Sequence, residues 1–243
     1  MKGAIPRRAV AEAVGTGFLL AAVVGSGIMA ERLAGGNVAL ALLANTVATG
    51  AALVALILTF APFSGAHFNP VVTIALAGAG VLPSRHVLPY ILAQLGGAIV
   101  GVMAAHLMFD LPLLQISEHV RGGIGPWTGE FVATFGLMAV IESGRRHFPA
   151  ALPGAVAAYI TAAYWFTSST SFANPAVTIA RALTNSFAGI APGSVAGFIA
   201  AELAGGGAAV MLFRWLEPGG ATAAAGRQGE PHRHDAASSV EGL

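Results

Sequence analysis

The sequence predicts an all-α membrane protein: six spanning helices and two shorter re-entrant half-helices, arranged as two inverted repeats. Three observations predict it. Only 9% of the 243 residues are charged and 56% are hydrophobic, whereas a soluble domain carries about 25% charge, so lipid is the expected solvent. The apolar residues gather into six long runs separated by Gly and Pro. Two further apolar stretches are too short to cross a bilayer, and each begins with Asn-Pro in a matching place of its half.

The six runs cover roughly residues 10–30, 38–61, 87–109, 129–141, 153–167 and 195–215. A span needs about 20 residues, so the fourth and fifth read short. The two half-helices cover 70–79 and 175–183. Asn is a good N-cap, and Pro suits the first helical position because its missing N–H would be orphaned there anyway.

The halves align. Asn69-Pro70-Val71-Val72-Thr73-Ile74-Ala75 corresponds to Asn174-Pro175-Ala176-Val177-Thr178-Ile179-Ala180, and Glu12-x-Val14-x-Thr16 to Glu130-x-Val132-x-Thr134. Three spans per half is an odd number, so the repeats are inverted in the membrane. One channel-like domain is expected over 1–218, with repeats at about 9–109 and 127–216. Residues 219–243, rich in Ala, Gly and polar residues, are expected to form a disordered cytoplasmic tail.

Lys2, Arg7 and Arg8 precede the first run in the manner of a signal peptide. We expect a retained span instead, because the run is long and its Glu12 has a counterpart in Glu130. Lys2, Arg7, Arg8, Arg85, Arg145, Arg146, Arg214, Arg227 and Arg233 fall on one side of this topology, and Arg32, Arg121 and Arg181 on the other. That excess places both termini in the cytoplasm and the protein in the inner (plasma) membrane as a multi-pass chain. A net charge of +1 offers nothing to nucleic acid, and the absence of cysteine excludes disulfides and thiolate chemistry. No cofactor or metal is expected. His232 and His234 lie in the tail without further ligands and read as solvated.

A helix start inside the membrane presents unpaired N–H groups and partial positive charge. Two half-helices entering from opposite faces would bring Asn69 and Asn174 together near the midplane, their amides donating into a lumen. The extended backbone before them, 65–68 and 170–173, would offer carbonyls. Irregular backbone at that depth is tolerated where it lines a wet cavity. The two positive helix ends would oppose cations and protons while neutral molecules pass.

With these motifs the chain resembles the major intrinsic protein family of aquaporins and glycerol facilitators. Ser64-Gly65-Ala66-His67-Phe68-Asn69-Pro70-Val71-Val72-Thr73 is similar to its first signature box and Phe172-Ala173-Asn174-Pro175-Ala176 to its second. The resemblance covers roughly 10–215 and implies a passive channel with one pore per chain, assembled as a homotetramer. The first box departs by carrying Val71 in place of Ala, a small change in packing. The second departs more: the family usually has Arg after Asn-Pro-Ala, and here the residue is Val177.

In the family that Arg forms the narrowest constriction with one residue each from the second helix, the fifth helix and the loop before the second box. The family's spacing implies Thr49, Ala162 and Ser171 for those positions. Water-selective members carry aromatic and His side chains there, and glycerol-conducting members keep aromatics and the Arg. Thr, Ala, Ser and Val imply a wide, mildly apolar filter with no cation. The replacement resembles bacterial aquaglyceroporins associated with arsenic resistance, which pass arsenite as its neutral hydroxide. The expected partners are therefore small neutral solutes and the lipid bilayer.

Arg181 follows Val177 by one helical turn on the same face. Either it carries positive charge to the outer vestibule, where it draws oxyanions or organic acids, or it is a solvated helix-end arginine offsetting the negative C-terminus. The second reading is the simpler one. The resemblance implies that Glu12 and Glu130 hold the two extended loops, and they are taken as the only acids well inside the spans. His67 is expected to line the cytoplasmic half of the pore as a fixed hydrogen-bonding group, and Gln94 to bond between helices. Gly96, Gly97, Gly101 and Gly205 to Gly207 read as faces for close helix packing.

Three alternatives compete. A plain water or glycerol channel differs only in filter width. An ion-coupled secondary transporter also uses inverted repeats and broken helices, but would surround its substrate with carboxylates. An intramembrane enzyme would need a Ser–His pair, a His pair at helical spacing or a phosphate loop, and the sequence offers none.

Overall fold

The computed structural model describes residues 4–216. Eight α-helices and one short 3₁₀ turn account for it: α1 (Ile5–Leu33), α2 (Val38–Phe60), α3 (Pro70–Gly78), α4 (Val87–Met108), α5 (Ile124–His147), α6 (Leu152–Phe166), α7 (Pro175–Arg181) and α8 (Pro192–Leu216). Among the described residues there is no strand. The expectations for residues 219–243, including His232 and His234, lie outside the described residues.

The order long, long, short, long occurs twice, and the packing repeats with it. The helix α1 packs on α2 and α4 as α5 packs on α6 and α8. The two halves meet where α2 faces α6, and each half-helix also packs on the other half's last helix, α3 on α8 and α7 on α4. Among the described residues five helices are long and apolar enough to cross a membrane, and α6 is a shorter apolar helix of 15 residues. Large apolar side chains such as Phe18, Leu43, Val47, Leu92 and Leu203 stay exposed on the outside of the bundle, as expected where lipid replaces water.

The helix α5 runs well beyond the short span read from hydropathy. Its last turn is polar, with Glu142 Oε2 bonded to both Arg145 and Arg146 three and four residues on. Those i,i+3 and i,i+4 pairs continue the helix where hydropathy falls. The close approaches rest on glycine. A Cβ at Gly97 or Gly101 would collide with the carbonyl of Ala13 or Gly17 in α1, and one at Gly205 with that of Phe131 in α5. Gly96 and Gly207 face open space, so only part of the expected small-residue stripes seals helix to helix.

Candidate functional site

Each half-helix begins at an Asn that caps it. Asn69 Oδ1 accepts from Val71 N at 2.9 Å, and Asn174 Oδ1 accepts from Ala176 N at 3.0 Å and Val177 N at 3.3 Å. Pro70 and Pro175 occupy the first helical positions. The side-chain amides cross the two-fold: Asn69 Nδ2 donates to the Ala173 carbonyl at 2.7 Å and Asn174 Nδ2 to the Phe68 carbonyl at 2.8 Å. One hydrogen of each amide is thus spent joining the loops rather than facing a lumen, and each amide keeps a second one.

The loops before the caps are built alike. Ala66 and Phe68 have φ of 51° and 51°, and the matching Ser171 and Ala173 have 50° and 49°. Non-glycine residues rarely adopt this left-handed region, and such strain persists where surrounding structure over-determines it. Here the surrounding structure is a buried carboxylate. Glu12 accepts from Ser64 Oγ at 2.6 Å, His67 N at 3.0 Å, Phe68 N at 2.7 Å and Gln94 Nε2 at 2.8 Å. Glu130 accepts from Phe172 N at 2.8 Å and Ala173 N at 2.6 Å.

Glu12 and Glu130 are not the only buried acids, contrary to the reading from sequence. Glu142 and Glu202 are buried too. Glu202 on α8 stands where Gln94 stands on α4. Gln94 Nε2 also donates to Thr73 Oγ1 at 2.9 Å, and Glu202 Oε1 accepts from Thr178 Oγ1 at 2.6 Å. The second oxygen of Glu202, like Gln94 Oε1, is buried without a hydrogen-bond partner among the described residues. An acid inside an apolar run was visible in the sequence, at a position matching Gln94.

A cavity of about 280 Å³ runs past both Asn residues. Its walls are mainly aliphatic, with Leu19, Val23, Leu53, Ile57, Leu137, Ile141 and Ile160 along its length. His67 lines it with its ring nitrogen 3.1 Å from Thr73 Oγ1 and its ring against Tyr90. Among the described residues no carboxylate lines the cavity, whereas Arg145 and Arg181 do.

Of the four residues assigned to a filter, Thr49, Ser171 and Val177 line this cavity together and Ala162 does not. Ala162 is exposed on the outer side of α6. The buried stripe of α6 runs Val156, Ile160, Tyr164. Ala162 is two residues from Tyr164, about 200° around the helix, and therefore faces away. Tyr164 occupies the inner wall instead, its hydroxyl donating to Thr49 Oγ1 at 3.4 Å. Ser171 Oγ is buried and has no hydrogen-bond partner among the described residues.

Arg181 corrects the sequence reading in two ways. It is not a solvated helix end, being only 2% exposed, and the cavity wall around Val177 therefore includes a cation. Its Nε donates to the Ala188 carbonyl, and its guanidinium carbon lies 3.4 Å from the centre of the Phe172 ring. The segment that carries Ala188 is held by the end of α4 and the loop after it. Arg121 Nε donates to the Gly189 carbonyl at 2.7 Å, Ser117 N to the Ala182 carbonyl at 3.0 Å, and His106 Nε2 lies 2.8 Å from Thr184 Oγ1. Burial pushes the Arg121 guanidinium below its ordinary value. Arg121 also stacks on Phe172, at 5.3 Å.

Comparison with known proteins agrees with this architecture. Residues 2–166 match the family described as major intrinsic protein, a match that ends before the second Asn-Pro box. The chain is 57% identical over 212 residues to aquaglyceroporin AqpS of Rhizobium meliloti (strain 1021), covering 87% of this chain and 91% of that one. It is 38% identical over 127 residues to the propanediol uptake facilitator PduF of Citrobacter freundii, covering 51% and 46% of the two chains. Among solved structures, the aquaglyceroporin from Plasmodium falciparum superposes with a TM-score of 0.65 at 18% identity, covering 88% of this chain and 96% of that one, a likeness of fold.

Proposed function

This chain belongs to the major intrinsic protein family, and from that premise we propose a passive channel for small uncharged solutes. These are water, polyols such as glycerol, and metalloid hydroxides such as arsenous acid. The observation that carries the reading is Val177, a small apolar residue on the cavity wall directly after Asn174-Pro175-Ala176. An isopropyl group there leaves room that a guanidinium would fill. Thr49 and the unpartnered Ser171 hydroxyl can exchange hydrogen bonds with a solute's hydroxyls as it passes. Arsenous acid is uncharged near neutral pH and polyhydroxylated, so it suits a wall of this kind. The name of the Rhizobium meliloti relative and that of the propanediol facilitator support solutes larger than water.

In this reading Thr49, Ser171, Val177 and Tyr164 set the width, and Asn69 and Asn174 set the polar midpoint. Glu12 and Glu130 hold the loops. An ion-coupled transporter is disfavoured because the described cavity wall carries no carboxylate for an ion to bind. A plain water and glycerol channel draws support from Tyr164 and Arg181, which add bulk beside Thr49 and Val177. The family is one of channels, and we assign no catalytic residue. By the same resemblance we propose a homotetramer in the inner membrane with both termini cytoplasmic.

The test is light-scattering stopped flow on proteoliposomes with water, glycerol and arsenous acid. The wide-channel reading expects all three to cross faster than in empty vesicles. Passage of water alone would leave a water channel with an unusual constriction.

A further inference from the structure

The guanidinium of Arg181 lines the transport cavity within a membrane-embedded half-helix. The ion pairs of the described residues join Glu142 to Arg145 and Arg146, and Arg181 takes no part in them. A buried cation outside any direct ion pair is costly in such a place and marks function by default, with Glu130 and Glu202 among its charged neighbours. Arg181 is also fixed rather than free. Its Nε is tied to the Ala188 carbonyl, its flat face lies on Phe172, and Ile190 N donates to its own carbonyl at 3.3 Å.

We infer that Arg181 supplies the positive barrier that excludes cations and protons from this pore, from a position one helical turn beyond Val177. The separation divides two tasks that one side chain at position 177 would combine. Width is set at Val177, while charge is set by a guanidinium held on the cavity wall against the Phe172 ring. Each half-helix start contributes only about half a unit charge. A full unit charge on the cavity wall therefore exceeds what a helix start supplies to the potential a cation meets on this side of the Asn pair. Arg121, on the same Phe172 ring, adds to that field from the loop after α4. Solute selection and ion exclusion are thereby separable by mutation. This inference rests on the channel reading above, and wild-type solute flux tests that reading separately.

The experiment uses proteoliposomes of the full chain with an internal pH dye and a K⁺ gradient, and water permeability measured on the same vesicles as the control for insertion. Four proteins are compared: wild type, Arg181→Gln, Arg181→Lys, and Val177→Arg combined with Arg181→Gln. Proton and K⁺ leak, divided by water permeability, should rise by about tenfold or more in Arg181→Gln. It should stay at the wild-type level in Arg181→Lys near neutral pH and return toward it in the double variant. If Arg181→Gln carries no water, Arg181→Lys decides alone. A buried lysine loses its charge at alkaline pH, so its leak should grow as pH rises while wild type stays tight. Tyr164, Arg121, Glu130 and Glu202, the titratable neighbours, are the same in both proteins. A water-conducting Arg181→Gln that leaks no more than wild type overturns the inference, as does a flat pH profile for Arg181→Lys. Loss of glycerol flux in wild type would instead overturn the wide-channel reading and leave the leak comparison standing.

Discussion

The side chain of Asn69 donates to the Ala173 carbonyl at 2.7 Å, joining the start of one half-helix to the loop that launches the other. With its mirror image from Asn174 to Phe68, this bond makes the midplane a closed ring of two loops. Each Asn also caps its own helix, so one residue fixes both the helix start and the crossing.

Asn174→Ala removes a cap and a crossing bond at once. A lost cap alone costs about 1 kcal/mol, and the Phe68 carbonyl left unpaired adds a similar amount, about 1–2 kcal/mol. A lower midpoint of thermal unfolding in detergent is expected. Asn174→Asp retains the cap acceptor but not the donor, and should fall between wild type and Ala.

Glu130→Gln exchanges one carboxylate oxygen for an amide donor facing the N–H groups of Phe172 and Ala173. Two donors then confront each other in a buried site, at about 1–3 kcal/mol. Water permeability should drop sharply, because the left-handed turns at Ser171 and Ala173 lose what holds them. Wild-type permeability in a folded Glu130→Gln would remove the loop-holding role.

Glu202→Gln has the opposite expectation. Gln94 already fills the matching position, donating through Nε2 to Glu12 and Thr73 while its own Oε1 stays buried without a partner among the described residues, as one Glu202 oxygen does. The substitution should leave water flux within about twofold of wild type and thermal stability within about 1 kcal/mol of it.

Gly97→Ala forces a methyl into the Ala13 carbonyl, backbone that cannot step aside. A loss of more than about 3 kcal/mol is expected, read as failure to yield folded protein. Gly96→Ala, one residue away and facing open space, should express like wild type.

Tyr164→Ala opens the wall opposite Thr49. The ratio of glycerol to water permeability should rise by roughly threefold or more. An unchanged ratio would show that Tyr164 does not bound the passage.

Both half-helices were legible in the sequence, because Asn-Pro fixes a helix start and the halves repeat around it, while the loop-holding role of Glu12 and Glu130 came from the family resemblance. The ends of α5 were not, since Glu142, Arg145 and Arg146 lower hydropathy while bonding to each other along the helix. Tyr164 was missed because the family's spacing lands on Ala162, two residues away on the opposite face of the helix. The stripe Val156, Ile160, Tyr164 at four-residue spacing carries the correct face. The burial of Arg181 depends on the segment through Ala188 folding back under the loop after α4, a long-range contact with no local signature.

The most direct test of the wide passage is the permeability of Val177→Arg set beside wild type, for water, glycerol and arsenous acid. Filling the space at Val177 should slow glycerol and arsenous acid by roughly tenfold while water changes little. If the ratio of glycerol to water permeability is the same in both proteins, Val177 does not set the width and the account of the filter is wrong.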